Sequence, residues 1–313
     1  MPSDISQDTD TPASLSRVKR VLGTTSESVR SMHFWLPPFL LMGLFVYGAI
    51  GWNLVISFTE YSGFGDPNYS ALGFQNYARA FTDPEVIFAV QNTVVLTVGF
   101  TVLSLALGLF LAVLLDRQVR SKGTFRTIYL LPMSLSFVVT GQFWLWMYDV
   151  DSGIVNTLLG VVGLGPFDWV GNPKLVLFAI MFALIWQFSG YAMVVYLAGL
   201  QAIPDDQFEA AKIDGSGTVN MYLRIIIPQL RGATIGASVV LIAFSLRAFD
   251  FLFSIFGGYR PQNGADILAT KMVRVAFQRQ EWAYGAAIAM ILFSLALLII
   301  GPYLYHQYKR GEI

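Results

Sequence analysis

Five stretches of at least 22 residues carry no Asp, Glu, Lys or Arg: Ser31 to Thr59, Val86 to Leu115, Thr127 to Tyr148, Leu175 to Pro204 and Trp282 to Tyr308. A bilayer's hydrocarbon core takes about 20 apolar residues of helix, so each stretch is long enough to cross it with some tilt. A sixth, Gly232 to Tyr259, is interrupted only by Arg247 and Asp250. None alternates apolar and polar residues with the period of two that barrel strands need. The sequence therefore predicts an all-α integral membrane protein with six transmembrane helices, over about 34–57, 88–115, 127–148, 175–200, 233–256 and 283–305. Composition agrees. Charged residues make up 13% of the chain, where a soluble domain carries about 25%, and the mean hydropathy is +0.58. An ordinary soluble enzyme and a disordered chain are both excluded.

Twenty Lys and Arg balance twenty Asp and Glu, so no basic field exists to draw nucleic-acid phosphates. The chain has no cysteine, which removes disulfides, thiolate metal sites and a cysteine nucleophile. With six spans, both termini lie on one side. Thirteen Lys and Arg fall in the tail and loops on that side, from Arg17 to Arg30, Arg117 to Arg126, Lys212 to Arg231 and at Lys309 and Arg310, against six in the other loops. The positive-inside rule then makes the N-terminus, the loops near 116–126 and 205–232, and the C-terminus (309–313) cytoplasmic. Residues 60–85, 149–173 and 260–281 are expected outside. Residues 1–30, rich in Ser, Thr and Asp and lacking an apolar h-region, read as a flexible cytoplasmic tail ahead of a permease domain at 31–308. The basic residues next to the first span serve topology, with contact to anionic membrane lipid as the alternative.

Loops between membrane helices are usually short, so the cytoplasmic loop 205–232 needs a reason to exist. Pro204 ends the fourth span, and Asp205 and Asp206 sit where a helix N-terminus favours negative charge. Gln207 to Asp214 reads as helix with Gly215 as its stop. A second short helix from about Thr218 to Ile226 is expected to close at Pro228, giving a helix-turn-helix at the membrane surface.

Here the residues carry a resemblance. Glu209, Ala210, Ala211, three residues, Gly215, nine residues, then Ile225, Ile227 and Pro228 resembles the EAA motif of ABC-importer permeases, with Ile227 where Leu is usual. The likeness extends over nearly the whole chain to carbohydrate permeases of the maltose-transporter type: Ser57 to Tyr61, Asn76-Tyr77, Phe125-Arg126 to Leu131-Pro132, Leu200 to Pro204 and Phe249-Asp250 all resemble that family. Phe256, Tyr259 and Arg260 depart from its usual Thr-Gly-Gly-Gly-Pro ending. The resemblance implies one transmembrane subunit of an importer, working with a second permease subunit, two ATPase subunits and an extracytoplasmic solute-binding protein. No G-x-x-x-x-G-K-[ST] loop occurs, so this chain binds no cofactor of its own, and ATP and Mg are left to the partner ATPase. The loop is then the coupling elbow, built from Glu209, Ala210, Ala211, Asp214, Gly215, Ile225 and Pro228. It transmits rigid-body movement to helices that rock in alternating access. Apart from the motif spacing, the same residues fit a surface amphipathic helix with an ordinary cap and stop.

Polar side chains inside spans are costly in hydrocarbon and mark a wet path or interhelical ties. Gln142, Trp186, Gln187, Ser189, Gly190, Tyr191, Ser245 and Arg247 are the candidates, and the family resemblance adds Met133 and Phe137. Aromatic faces beside amides and hydroxyls suit a sugar. Arg247 and Asp250, three apart on an expected helix, are read as a self-neutralising pair. The alternative use of Arg247 is to hold a phosphate, as a glycerol-phosphate permease would. An ion-coupled secondary transporter is the less favoured class, since only Asp250 offers a carboxylate within a span.

Overall fold

The computed structural model describes residues 31–116, 122–261 and 264–310. The predicted tail, the loop bearing Arg117 and Arg120, and residues 311–313 lie outside the described residues. The chain forms two compact units, Met1–Val55 and Ile56–Ile313. Most of the first unit's described part is one apolar helix, α1 (Ser31–Ser57), whose 27 residues extend about 40 Å at 1.5 Å per residue.

The second unit contains α2 (Gln75–Thr82), α3 (Pro84–Asp116), α4 (Lys122–Leu130), α5 (Phe137–Met147), α6 (Ile154–Val161), α7 (Val176–Gln201), α8 (Asp205–Ile213), α9 (Thr218–Gln229), α10 (Arg231–Leu246), α11 (Phe249–Phe256), α12 (Leu268–Val273) and α13 (Trp282–Arg310). Among the described residues there is no strand. Among the described residues four helices, α1, α3, α7 and α13, are long and apolar enough to cross a membrane unbroken.

Helix α7 is the hub, buried on most of its circumference from Val176 to Leu200. Helix α3 is apolar along most of its length, and its buried side runs through Ala89, Thr93, Leu96, Phe100, Ser104, Gly108, Ala112 and Leu115, at three- and four-residue steps. Small residues on that stripe allow the backbones to approach. A Cβ on Gly108 would lie 2.5 Å from the Ala192 Cβ and 2.7 Å from the Met193 nitrogen. This is the small-residue packing that membrane helices use where burial against lipid offers no hydrophobic gain.

The third and fifth spans depart from the sequence expectation. The stretch 127–148 is not one helix. It breaks after Leu130 into a 3-10 turn (Leu131–Ser134) and restarts as α5, with a bend of 99°. Pro132 removes a backbone donor and restricts the residue before it, Leu135 and Ser136 are extended, and the Ser136 hydroxyl accepts the Val139 amide at 3.3 Å to cap the new helix. The stretch 233–256 likewise splits at Arg247 and Ala248 into α10 and α11. The Ser245 hydroxyl lies 2.8 Å from the Ile242 carbonyl, a back-bond that bends helices, and 3.0 Å from the Thr97 hydroxyl. Arg247 and Asp250 therefore do not share one helix, and no ion pair joins them, contrary to the expectation from their spacing.

The segment 260–281, for which the sequence sets only a side of the membrane, holds α12 and a wider helical turn (Arg274–Gln278) fixed by a charge network. Lys271 is fully buried, pairs with Glu85 and lies 3.5 Å from Asp83. Arg274 pairs with Asp266, while Asn92 and Thr93 of α3 hydrogen-bond to the backbone at Asp266 and Leu268 at 2.9 Å each. Burial alone would raise the Asp83 carboxyl. The Tyr284 hydroxyl, the Glu85 amide and Lys271 outweigh it and hold Asp83 below its usual range. Its contribution to stability is thus present above the ordinary carboxylate pKa and is lost as pH falls through the lowered value.

Asp266→Asn leaves the Arg274 guanidinium buried with a weakened partner. It should cost about 3 kcal/mol, the scale for breaking one side of a buried pair. Lys271→Met removes the buried charge itself and leaves two partly exposed carboxylates, so it should cost less. Thermal unfolding of the two purified variants checks the order, and equal midpoints would refute it.

Candidate coupling elbow and solute path

Helix α8 starts after Pro204 with Asp205 and Asp206 in its first turn. It ends on Gly215, whose φ of +73° is the left-handed conformation that glycine adopts without strain, and the Ser216 amide closes the turn on the Ala211 carbonyl at 3.0 Å. Helix α9 does not close at Pro228 as expected. It runs on to Gln229 and turns by 67° into α10 at Leu230. Pro228 is the last residue but one of this helix and follows a wider turn at Tyr222–Ile226, so its missing amide falls where the regular bonding is already interrupted.

The elbow is fastened to the C-terminal ends of α3 and α7. Ala211, Met221, Tyr222, Ile226 and Leu230 join one buried cluster with Leu111, Ala112 and Leu115 of α3 and with Met193, Tyr196, Leu197 and Leu200 of α7, and Ile225 packs against it. The Tyr222 hydroxyl donates to Asp116 at 2.9 Å, and the Gln229 amide donates to Gln207 at 2.7 Å, tying α9 to α8. The alanine pair divides. Ala211 points into the chain's own core, whereas Glu209, Ala210 and Asp214 are exposed, as is Pro228. Ile213, Val219 and Leu223 add large exposed apolar side chains around the elbow. Sequence reasoning passed over these three, although apolar residues on the outer side of short polar helices were the available sign. Built this way, the elbow has one face anchored in the chain's own core and the other exposed.

The path candidates scatter over several environments. Met133, Phe137, Trp186 and Tyr191 are half-buried and pack on the main core. The Phe137 ring lies 5.8, 6.1 and 6.4 Å from those of Phe188, Phe244 and Phe251, so α5, α7, α10 and α11 meet at one aromatic cluster beside both span breaks. Gln142 is bonded to Ser254 of α11. Gln187 donates to the Leu135 carbonyl at 2.9 Å, bridging α7 to the break in the third span, and its own amide oxygen is buried with no partner among the described residues. Ser245 is buried against Thr97. A Cβ on Gly190 would overlap the Tyr129 carbonyl oxygen, so that glycine lets α4 cross α7 in direct backbone contact. Trp186 and Ser189 line an apolar cavity of about 580 Å³ with Tyr129, Leu131, Pro132 and Leu135. Arg247 stands exposed at the break between α10 and α11.

The helical unit thus combines two broken spans with a surface elbow anchored to two of its longest helices. Residues 104–311 match the family described as binding-protein-dependent transport system inner membrane component. The chain belongs to that family. It is 58% identical over 288 residues to the xylose/arabinose import permease protein XacH of Haloferax volcanii, covering 92% of this chain and 91% of that one. It is 47% identical to a probable ABC transporter permease protein, PH1215, of Pyrococcus horikoshii (89% and 96% covered). To the trehalose/maltose transport system permease protein MalF of Thermococcus litoralis it is 30% identical (76% and 80% covered). A solved chain of a bacterial ABC transporter involved in import of the acidic polysaccharide alginate superimposes with a TM-score of 0.78 at 21% identity, covering 93% of this chain and 99% of that one. That likeness shows the same fold. The chain is thus an inner-membrane permease subunit of an ABC importer.

Proposed function

We propose that this permease moves a neutral sugar, delivered by an extracytoplasmic binding protein, through a path shared with a second permease subunit, while two ATPase subunits bind and hydrolyse ATP with Mg. The observation that carries the sugar is the 58% identity to a xylose/arabinose permease along nearly the full length of both chains. The residues support it. The span breaks are surrounded by aromatic rings with few polar groups, and the one Arg within a span, Arg247, is a poor anion site on its own. The ATPase subunits are proposed to grip the exposed side of the elbow at Glu209, Ala210, Asp214 and Gly215. Both termini then face the cytoplasm, as the excess of Lys and Arg on that side favours.

The test is uptake by the assembled importer in vesicles, offered pentoses, disaccharides, glycerol phosphates, amino acids and oligopeptides in turn. Sugar uptake is expected. Stimulation by amino acids or peptides alone would overturn the reading. Stacking and hydrogen bonds are each worth about 1 kcal/mol, so Tyr191→Ala should raise the half-saturating sugar concentration several-fold, or lower the maximal rate, with the ATPase subunits still attached.

A further inference from the structure

Helix α6 has its polarity inside out. Its one amide side chain, Asn156, is buried. Asn156 donates to the Phe167 carbonyl at 2.9 Å and the Val150 carbonyl at 3.2 Å, and it accepts from the Phe167 amide at 3.1 Å and the Trp169 indole at 2.9 Å. The opposite face is apolar and bare: Leu158 is 65% exposed, Val161 82% and Val162 70%, with Ile154 beside them. Positions 154, 158 and 161 fall on one helical face, so the pattern is a continuous surface and not scattered exposure. A face of this kind in water would be unfavourable by tens of calories per mole per Å² left uncovered.

We propose that α6 is an interfacial helix whose Ile154, Leu158, Val161 and Val162 side chains sit among lipid acyl chains at the membrane surface. Three observations favour lipid as the occupant. Residues 152–167 contain no charged side chain, so the face offers no electrostatic pattern for choosing a protein partner. Its exposed members are branched aliphatics, which acyl chains cover well, while the Trp, Tyr and Arg that anchor protein interfaces are absent from it. The helix also follows directly on the third span, whose end is apolar and exposed. Trp146, at the end of α5, is 74% exposed, and α6 is tied to that end by the Gly153 amide bond to the Asp149 carbonyl at 3.0 Å. A Trp at a span's end sits at headgroup level, the depth at which an amphipathic helix lies. The exposed carboxylates of Asp149, Asp151 and Asp168 flank the segment in the chain.

The chain has no native cysteine, so Leu158→Cys gives one labelling site on it. The assembled importer, with cysteine-free partner subunits, would carry an environment-sensitive fluorophore there in phosphatidylcholine–phosphatidylglycerol vesicles. Nitroxide on the lipid acyl chains is expected to remove more emission than aqueous iodide does, with no change when the binding protein is added. Val161→Cys on the same face should repeat the result and stands in if the first variant assembles poorly. Dominant iodide quenching, quenching by neither agent, or protection on adding the binding protein would each overturn the proposal, marking water, a covering subunit or a docking face in its place.

Discussion

Gly190→Val should leave little folded permease in the membrane. Even the first carbon of the new side chain would overlap the Tyr129 carbonyl oxygen and lie 2.6 Å from the carbon bearing it. Those are backbone atoms in the last turn of α4, so no rotamer change relieves the clash. Helix α4 would have to leave α7, and the 99° bend that follows would move with it. Overpacking a tight core costs about 1–3 kcal/mol, and a rigid backbone obstacle puts this case at the upper end. The control is Gly236→Ala in α10, where a Cβ meets nothing within 4 Å and the glycine has no left-handed φ. It should be neutral or stabilising by up to about 1 kcal/mol through helix propensity. Yield and thermal midpoint of the solubilised protein measure both, and a Gly190→Val variant melting with the parent would remove the argument.

That glycine also shows where sequence reading stops. Gly190 attracted notice because it lies among polar residues in a span, and nothing local says that residue 129 passes against it. The spans themselves were legible because a charge-free stretch of such length has few other fates. Their breaks were less so. Pro132 was visible, but a proline in a membrane helix fits a mild kink as readily as a right-angle turn, and the back-bond of Ser245 depends on a rotamer. The elbow's two helices followed from Asp205, Gly215 and the motif spacing. The division of labour between Ala210 and Ala211 did not, since it is set by α3, about a hundred residues away. The network at Lys271 was invisible for the same reason. Its carboxylates at 83 and 85 precede it by almost two hundred residues, and a lone Lys in an outer segment reads as solvated.

Gly215→Val is expected to abolish uptake and binding-protein-stimulated ATP hydrolysis while the subunit still inserts and pairs. A Cβ at this position meets nothing within 4 Å, so crowding is not the mechanism. The cost lies in the backbone, because a φ of +73° strains a β-branched residue by about 1–2 kcal/mol. That is too little to unfold a bundle whose core lies elsewhere, but it acts on the one turn linking α8 to α9. Relief requires φ to change sign, which breaks the Ser216 amide bond to Ala211 and swings α8. Helix α9 cannot follow, being held by Met221, Tyr222 and Ile226 in the cluster beneath it. With the ATPase docked as proposed, the exposed Glu209 and Ala210 would then meet it at the wrong angle, and force applied there would be lost in the joint. Gly215→Asn separates this from a general loss of stability. Asn adopts the left-handed conformation more readily than other side chains, so it should restore much of the transport that Val removes. The measurement is the ratio of stimulated to basal ATP hydrolysis in reconstituted importer for the three proteins. If Val and Asn behave alike, the backbone conformation at 215 is not what couples the elbow to its motor.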